Sequence, residues 1–222
     1  MNIKKIYKMK VGYPTRRAIS RFMFKFQKSR TVYKPYIYDR ECIFVHIPKS
    51  AGKSIALSLY GDDKPGHFFA LDYKICDAKS YAAFFKFCFV RDPVSRFISA
   101  YNFLASGGTA IGDGEFKKDV IDRYEDINDF IACWLSRKNI MLKEHFVPQI
   151  YFTHVDGELA VDFVGKYETI GDDFARLRKF IPGVRDLKFV NKGKPGVASL
   201  NAQSLAKIRE LYAEDYVAFG YE

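Results

Sequence analysis

The segment FVHIPKSAGKSI, from Phe44 to Ile55, joins an apolar run to a helix-forming tail through a loop that contains lysines, serines and a glycine. It ends in Gly-Lys-Ser, as a nucleotide-binding P-loop does, but Ile47 stands where that motif needs its first glycine. Backbone N–H groups at a helix start bind anions, and Gly52 lets an anion come close to the chain. The segment therefore predicts an anion-binding strand–loop–helix unit, with an ordinary strand-to-helix turn as the alternative.

A second segment with the same organisation is FCFVRDPVSRFISAYNF, residues 87–103. Arg91 directly follows a buried-strand pattern, and Ser99 lies two turns along the helix that Pro93 begins. In an open α/β sheet, the ends of neighbouring strands converge on one crevice. We therefore expect Arg91 and Ser99 to meet a second phosphate near the first loop, and Asp92 to cap the helix.

Apolar runs alternate with helical patterns along the rest of the chain. Strands are predicted at residues 42–47, 85–90, 161–168 and 187–190. Helices are predicted at residues 53–60, 93–104, 172–180 and 201–217, with a mainly helical segment at 116–147. This alternation predicts an α/β fold, a single P-loop-type domain with a central parallel sheet flanked by helices, over residues 41–222.

The positive charge is concentrated at the start of the chain. The whole chain carries a net charge of +10, with +11 in residues 1–40 and −1 in the remainder. Because the body has no basic excess, nucleic acid is not an expected partner. Within this basic N-terminal arm, a helical pattern places Ile19, Phe22, Met23 and Phe26 on one face, mostly opposite the basic residues. Two interpretations follow: an interfacial helix on an anionic membrane, or a helix packed on its own domain.

The four cysteines lie far apart, with neither a CxxC pair nor a cluster with histidine at metal-ligand spacing. No stretch of the sequence is long and apolar enough to span a membrane. These features predict a reduced, cytoplasmic compartment, with peripheral contact at the inner membrane face through residues 1–40, and no metal site.

Both segments resemble motifs of one enzyme family. HIPKSAGKS is similar to the 5′-phosphosulfate loop, and RDPVSRFISAY to the 3′-phosphate motif, of sulfotransferases that use 3′-phosphoadenosine 5′-phosphosulfate (PAPS). The most similar branch contains the heparan sulfate 2-O-sulfotransferases and the chondroitin and dermatan 4-O-sulfotransferases. Weaker similarities follow in GHFFALDY, HFVPQ, VDFVGKYETIGDDFARL and YAEDYVAFGY, so the resemblance extends over about residues 42–221.

The resemblance implies a donor site for PAPS, with 3′-phosphoadenosine 5′-phosphate (PAP) as the product and no metal. Lys49 would stabilise the leaving phosphate, and Arg91 and Ser99 would bind the 3′-phosphate. Lys192 and Lys194 are expected, from their position in the chain, to close over the phosphates. The loop that holds the 5′-phosphate would comprise Pro48, Lys49, Ser50, Ala51, Gly52, Lys53 and Ser54.

The resemblance also implies a general base and an acceptor. His67, in GHFFALDY, would take the proton of the acceptor hydroxyl, while His46, before the loop, is expected to be structural. His145 and Gln149, in HFVPQ, would contact the acceptor, and His145 is the second candidate for the base. The implied acceptor is a hydroxyl group of a capsular or lipid-linked saccharide.

Two other functions remain open from the residues themselves. A P-loop kinase that uses magnesium-ATP would take Asp92 as its metal ligand, although Ile47 and the following Pro48-Lys49 pair depart from the kinase motif. A noncatalytic module that binds anions or a polysaccharide surface through the basic arm is the other alternative.

Overall fold

Three parallel strands form the centre of the protein. The computed structural model describes residues 10–26, 31–61, 65–187 and 199–222. Its strands are β1 (Cys42–Val45), β2 (Phe85–Val90), β3 (His154–Val155), β4 (Glu158–Leu159) and β5 (Phe163–Lys166). The central sheet has the order β1, β2, β5, and β3 pairs with β4 in a separate antiparallel hairpin. In the register of the sheet, Cys42 lies opposite Phe85, and Phe87 opposite Phe163.

Helices flank this sheet, as predicted. They are α1 (Tyr13–Phe26), α2 (Pro35–Arg40), α3 (Gly52–Tyr60), α4 (Ala70–Cys76), α5 (Ala78–Ala83), α6 (Pro93–Ala105), α7 (Ile111–Asp119), α8 (Ile127–Cys133), α9 (Ile150–Thr153), α10 (Ile170–Leu177), α11 (Ala202–Leu211) and α12 (Ala213–Phe219). Short 3-10 turns lie at Ile121–Arg123 and Asn139–Met141. The predicted α/β class with a central parallel sheet is confirmed.

The two faces of the sheet enter different cores, because successive residues of a strand point to opposite sides. Ile43 and Val45 join one core together with Val90. Phe44 and Phe87 join the other, where their rings stack with centroids 5.0 Å apart. Both faces are therefore covered, which explains why the strands are nearly continuous apolar runs in the sequence.

A cluster of aromatic side chains packs α6 against the segment that follows α7. The ring centroids of Phe130 and Trp134 are 4.8 Å apart, and those of Phe97 and Phe146 are 5.2 Å apart. The prediction of a mainly helical segment at 116–147 was wrong for much of its length, because it contains only the end of α7, α8 and two 3-10 turns. Packing of these rings fixes an irregular path that local helix propensity does not reveal.

Two further predicted elements differ from the structure. The closing helix is divided at Tyr212, whose buried hydroxyl group donates a hydrogen bond to the carbonyl oxygen of Phe146 over 2.6 Å. Leu187 lies outside any strand, and residues 188–190 of the predicted fourth strand lie outside the described residues.

Helix α1 turns part of its basic side toward the domain. Arg17 and Arg21 form ion pairs of 2.9 and 2.7 Å with the buried carboxylate of Asp72. Ile19 and Phe22, on the predicted apolar face, are 46% and 65% exposed. For α1 the structure therefore shows packing on its own domain, while contact with a membrane stays a prediction. Within the described ranges, no helix has the length and apolar character needed to cross a membrane.

Candidate functional site

The loop after β1 has a backbone conformation suited to anion binding. Lys49 and Ala51 have positive φ angles of 73° and 60°, which are uncommon for residues with a side chain. Helix α3 begins at Gly52, directly after this turn, and no side chain caps its first turn. A helix start of this kind presents backbone N–H donors to an anion.

His46 lies behind this loop. A Cβ atom at residue 52 would be 1.8 Å from Nε2 of His46, so only glycine fits there. Nδ1 of His46 lies 2.8 Å from the carbonyl oxygen of Gly66. Because a carbonyl oxygen only accepts, Nδ1 carries the proton and Nε2 is the unprotonated nitrogen that faces Gly52. The sequence predicted a structural role for His46, and these contacts connect it to both the loop and the segment that carries His67.

Ser50 places an unsatisfied hydroxyl group inside the loop. Its side chain is 1% exposed, and its Oγ makes no hydrogen bond with any residue that the structure describes. Buried polar atoms are usually paired, so an orphaned hydroxyl within a predicted phosphate loop fits an absent anion. Lys53, by contrast, is exposed on the first turn of α3.

Lys49 is a cation without a carboxylate partner in the described part of the chain. Its Nζ lies 4.1 Å from the centroid of the Phe103 ring, and it forms no ion pair with any described residue. Burial, followed by the neighbouring charges of Arg91 and Lys53, lowers the pKa of Lys49 to about 8. Desolvation and like charges both disfavour the ammonium form, so an anion bound beside Lys49 would relieve an unfavourable environment.

Arg91 brings the second predicted phosphate motif to the first. Its Nε donates a hydrogen bond to Oγ of Ser95 over 3.0 Å, and its Nη1 donates to the carbonyl oxygen of Lys49 over 3.3 Å. The guanidinium group also lies over the ring of Tyr167, 4.2 Å from its centroid. The ends of β1 and β2 thus converge as expected. Ser99 follows Ser95 by one turn of α6, on the same side of the helix.

Gln149 holds Arg91 in place. Its Oε1 accepts a hydrogen bond from the backbone N–H of Arg91, and its Nε2 donates to the carbonyl oxygen of the same residue, both over 2.9 Å. The side chain is 0% exposed. Both polar atoms of Gln149 thus bind one backbone unit, which positions Arg91, while the predicted contact of Gln149 with an acceptor stays a prediction.

Arg96 and Asp92 also have structural partners. The guanidinium group of Arg96 is buried and donates to the carbonyl oxygens of Pro48, His145 and Val147 over 2.9 to 3.3 Å. It therefore ties the loop to the segment of His145. Asp92 caps α6, as predicted, because its Oδ1 accepts the N–H of Ser95 over 2.7 Å. A kinase would need this carboxylate for its metal ion.

Three histidines lie in contact beside the loop. The ring centroids of His46 and His67 are 4.3 Å apart, and those of His67 and His145 are 5.9 Å apart. The Nδ1 atoms of His67 and His145 are buried and make no hydrogen bond with a described residue. Burial lowers the pKa of His67, and it lowers the pKa of His145 to about 3. Both rings are therefore neutral at neutral pH and can accept a proton.

Helix α1 supports this histidine cluster from outside. The hydroxyl group of Tyr13 donates a hydrogen bond to the carbonyl oxygen of His67. One turn further along, Nη2 of Arg16 donates to the carbonyl oxygen of Leu142 over 2.9 Å. Helix α1 thus fixes the backbone at His67 and at the segment that leads to His145.

A buried charged cluster adjoins His145. Nζ of Lys143 lies 2.6 Å from Oδ1 of Asp113 and 3.6 Å from Oε1 of Glu144. Asp113, Glu144 and His145 each place one potential ligand atom within 4.8 Å of the other two, so that one metal ion could contact all three. The Lys143 ammonium already supplies a cation to both carboxylates. Sequence analysis did not predict this cluster, because the aromatic segment separates Asp113 from the other residues along the chain.

The fourth histidine lies elsewhere in the described structure. His154 lies in β3, where its ring packs against Phe219 with centroids 6.0 Å apart. Lys192 and Lys194 lie outside the described residues. Sequence analysis missed Ser95, although its spacing of four residues from Arg91 is the spacing of helical neighbours. It also missed Tyr13, for which no local signal exists because its partner is distant in the chain.

Comparison with known proteins identifies one family. A model described as "Sulfotransferase family" matches residues 37–222, which is well over half of the chain. The match contains the loop, Arg91 and the three clustered histidines, and it begins after α1. No curated protein and no solved structure matches the chain.

Proposed function

The chain belongs to the sulfotransferase family, and from this membership we propose that it transfers a sulfuryl group from PAPS to a hydroxyl group of a saccharide. The main support for the proposal is that Lys49 and Arg91 lie next to each other at the ends of β1 and β2. Arg91 reaches the backbone of Lys49, and neither cation forms an ion pair with a described carboxylate. Two unneutralised cations at a strand–loop–helix unit are suited to a ligand with two phosphate groups.

The residues of the loop fit such a donor. The orphaned hydroxyl group of Ser50, the N–H groups at the start of α3 and the ammonium group of Lys49 form one polar surface. We assign residues 48–54 to the 5′-phosphate and Arg91 with Ser99 to the 3′-phosphate. When bound, PAPS would supply the activated sulfuryl group, and PAP would be released.

Different residues of the protein would then stabilise charge and remove a proton. Lys49 would hold its proton and stabilise negative charge that develops on the leaving phosphate. His67 would accept the proton of the acceptor hydroxyl at Nδ1, which is neutral and unpartnered. His46 and Tyr13 would position His67, the first through Gly66 and its own ring, the second through the His67 carbonyl oxygen.

His145 is the alternative base for the same reaction. Its Nδ1 is also unpartnered, and its ring contacts both His67 and Phe103. Its very low pKa makes it a weaker proton acceptor than His67, because a general base is most effective when its pKa is near the working pH. We therefore assign His67 as the base and His145 as a residue that lines the acceptor side.

Calorimetric titration with PAP in EDTA tests the donor site. We expect metal-independent binding to the wild-type protein, weakened about 10- to 100-fold by Arg91→Ala and by Lys49→Ala, because each removes a charged partner of a phosphate. Arg137→Ala and Lys138→Ala, at two exposed basic residues of another surface, are matched controls and should bind PAP normally. Absence of PAP binding, or tighter binding of magnesium-ATP, would contradict the proposal and favour a kinase.

A further inference from the structure

A cavity of about 220 Å³ lies between α1, α7 and the segment 142–144. Three aromatic side chains contribute to its wall, those of Tyr13, Phe116 and Trp134, and the last two are in edge-to-face contact at a centroid distance of 5.6 Å. Tyr13 and Arg16 contribute from α1, which lies outside the part of the chain that matches the family. A concave, mainly apolar wall with a few charged groups is the usual composition of a small-molecule site.

This cavity is connected to the candidate active site through a short series of contacts. Glu144, in the wall of the cavity, precedes His145 and lies with Oε1 4.0 Å from its Nδ1. His145 contacts the ring of His67, the proposed base. It also contacts Phe103, and the ammonium group of Lys49 lies over the ring of Phe103. In this series of contacts, Glu144 and His145 lie between the cavity and the proposed base.

The charged groups of the wall are predominantly acidic. The wall contains four carboxylates and two cations, namely Asp113, Glu115, Asp119, Glu144, Arg16 and Lys143. Asp113 and Glu144 have lowered pKa values, with Lys143 as their shared neighbour, so both are ionised at neutral pH. The cavity consequently has a net charge of −2 when its acids are ionised.

The two cations of the wall are already engaged. Lys143 is paired with Asp113 and lies near Glu144, and Arg16 donates a hydrogen bond to the carbonyl oxygen of Leu142. In contrast, the carboxylate of Glu115 forms no ion pair with any residue that the structure describes. Nε of Arg16 is buried and has no hydrogen-bond partner among them, which leaves one donor for a ligand oxygen. With respect to the described residues, Glu115 therefore offers a ligand a carboxylate without an ion pair, and Arg16 offers an N–H donor.

We propose that this cavity is the acceptor subsite and that it selects a saccharide unit with a protonated amine over a unit with a carboxylate. The inference rests on the proposed sulfotransferase function and specifies its acceptor. The ammonium group of an amino sugar would pair with Glu115, and a sugar oxygen would accept from Arg16. The aromatic side chains would contact the apolar faces of the sugar ring. A uronate would instead meet the net negative charge of the wall.

Three oligosaccharide series of equal length test this selectivity. With PAPS as donor, we expect kcat/KM to decrease from glucosamine oligomers to N-acetylglucosamine oligomers to galacturonate oligomers, by about tenfold at each step. Glu115→Lys should reverse the order between the first and the last series, while Glu115→Gln should remove the preference for the amine. Glu210→Lys, at an exposed position of α11, is the control for the change in net charge. PAP affinity should be unchanged in all variants.

Calorimetry with the glucosamine oligomers, in the presence and absence of PAP, gives a readout that does not require turnover. Binding that is lost in Glu115→Lys and kept in Glu210→Lys would support the inference. No binding, or binding that ignores the charge at position 115, would overturn it. If PAP binds and sulfate is transferred without regard to acceptor charge, the inference fails alone. If PAP does not bind at all, the proposed function fails with it.

Discussion

The imidazole ring of His46 occupies the space that a side chain at Gly52 would need, since a Cβ atom there would lie 1.8 Å from Nε2. The ring is fixed from its other side by the carbonyl oxygen of Gly66. The first turn of α3 and the segment before His67 are therefore held against one rigid ring. This arrangement joins the proposed phosphate loop to the proposed base.

Gly52→Ala is expected to destabilise the protein by about 1–3 kcal/mol, the usual cost of forcing extra atoms into a filled site. The melting temperature measured by differential scanning calorimetry should fall by several degrees. Gly171→Ala is the matched control, since a Cβ atom there has no neighbour within 4 Å. The double variant His46→Ala, Gly52→Ala should recover part of the loss. Equal melting temperatures for Gly52→Ala and the wild type would contradict this account.

The affinity for PAP should decrease with rising pH because of Lys49. Its pKa of about 8 means that the free protein carries the ammonium group below this pH and loses it above. Between pH 7 and 9.5, the Kd for PAP in EDTA should therefore rise, at a slope of at most about tenfold per pH unit. Lys49→Arg keeps its charge over this range, so its Kd should stay constant. Parallel pH profiles for both proteins would exclude Lys49 as the titrating group.

Replacement of the histidines should separate the proposed base from its neighbour. His67→Ala is expected to lower kcat by about 10²- to 10⁴-fold, the usual contribution of a general base, with unchanged affinity for PAP. His145→Ala should mainly raise KM for the acceptor, and His154→Ala is the control. A larger loss of kcat in His145→Ala than in His67→Ala would indicate that His145 is the general base and that His67 contacts the acceptor.

The pH profile of kcat/KM tests the same base in the wild-type protein. Burial lowers the pKa of His67, so the neutral ring persists below the usual histidine pKa of about 6.5. Activity should therefore be kept as the pH falls through 6.5 and should be lost only at more acidic pH. An acidic limb centred at or above pH 6.5 would be inconsistent with a buried His67 as the base.

Tyr13→Phe tests whether α1 positions the base. The change removes the hydroxyl group that donates to the carbonyl oxygen of His67, and one lost hydrogen bond corresponds to about a fivefold effect. We expect kcat to fall about fivefold while the affinity for PAP is unchanged. Tyr151→Phe, at a half-exposed tyrosine of α9, is the control. A fall in PAP affinity equal to the fall in kcat would indicate general damage to the fold.

The geometry of the proposed donor side was largely predictable from the sequence because its residues are local. The loop at 48–54 and the Arg91 motif each follow a strand directly, and β2 was predicted at its observed bounds. The rule that strand ends converge then brings Arg91 to Lys49. The predicted helical cap by Asp92 is also observed, because it depends on three consecutive residues.

The acceptor side was predicted less well because it depends on contacts between distant segments. Gln149 belongs to a motif that suggested an acceptor contact, but only the folded chain shows that it is paired with the backbone of Arg91. Asp113 carried no signal in the sequence analysis, yet it is buried beside Lys143. The ring contact of Phe116 with Phe146 joins the two segments that carry Asp113 and Gln149, and the order of residues in the sequence contains no direct signal for it.

Helix α1 precedes the region that the chain shares with its family, yet it forms one wall of the cavity and supports the carbonyl oxygen of His67. A protein shortened to residues 37–222 would retain the proposed phosphate loop and lose this wall of the cavity. The cavity is thus lined by Tyr13 and Arg16 from outside the family region and by residues inside it, Glu115 among them. We expect substitutions before residue 37 to change the lining of this cavity without changing a residue of the proposed phosphate loop.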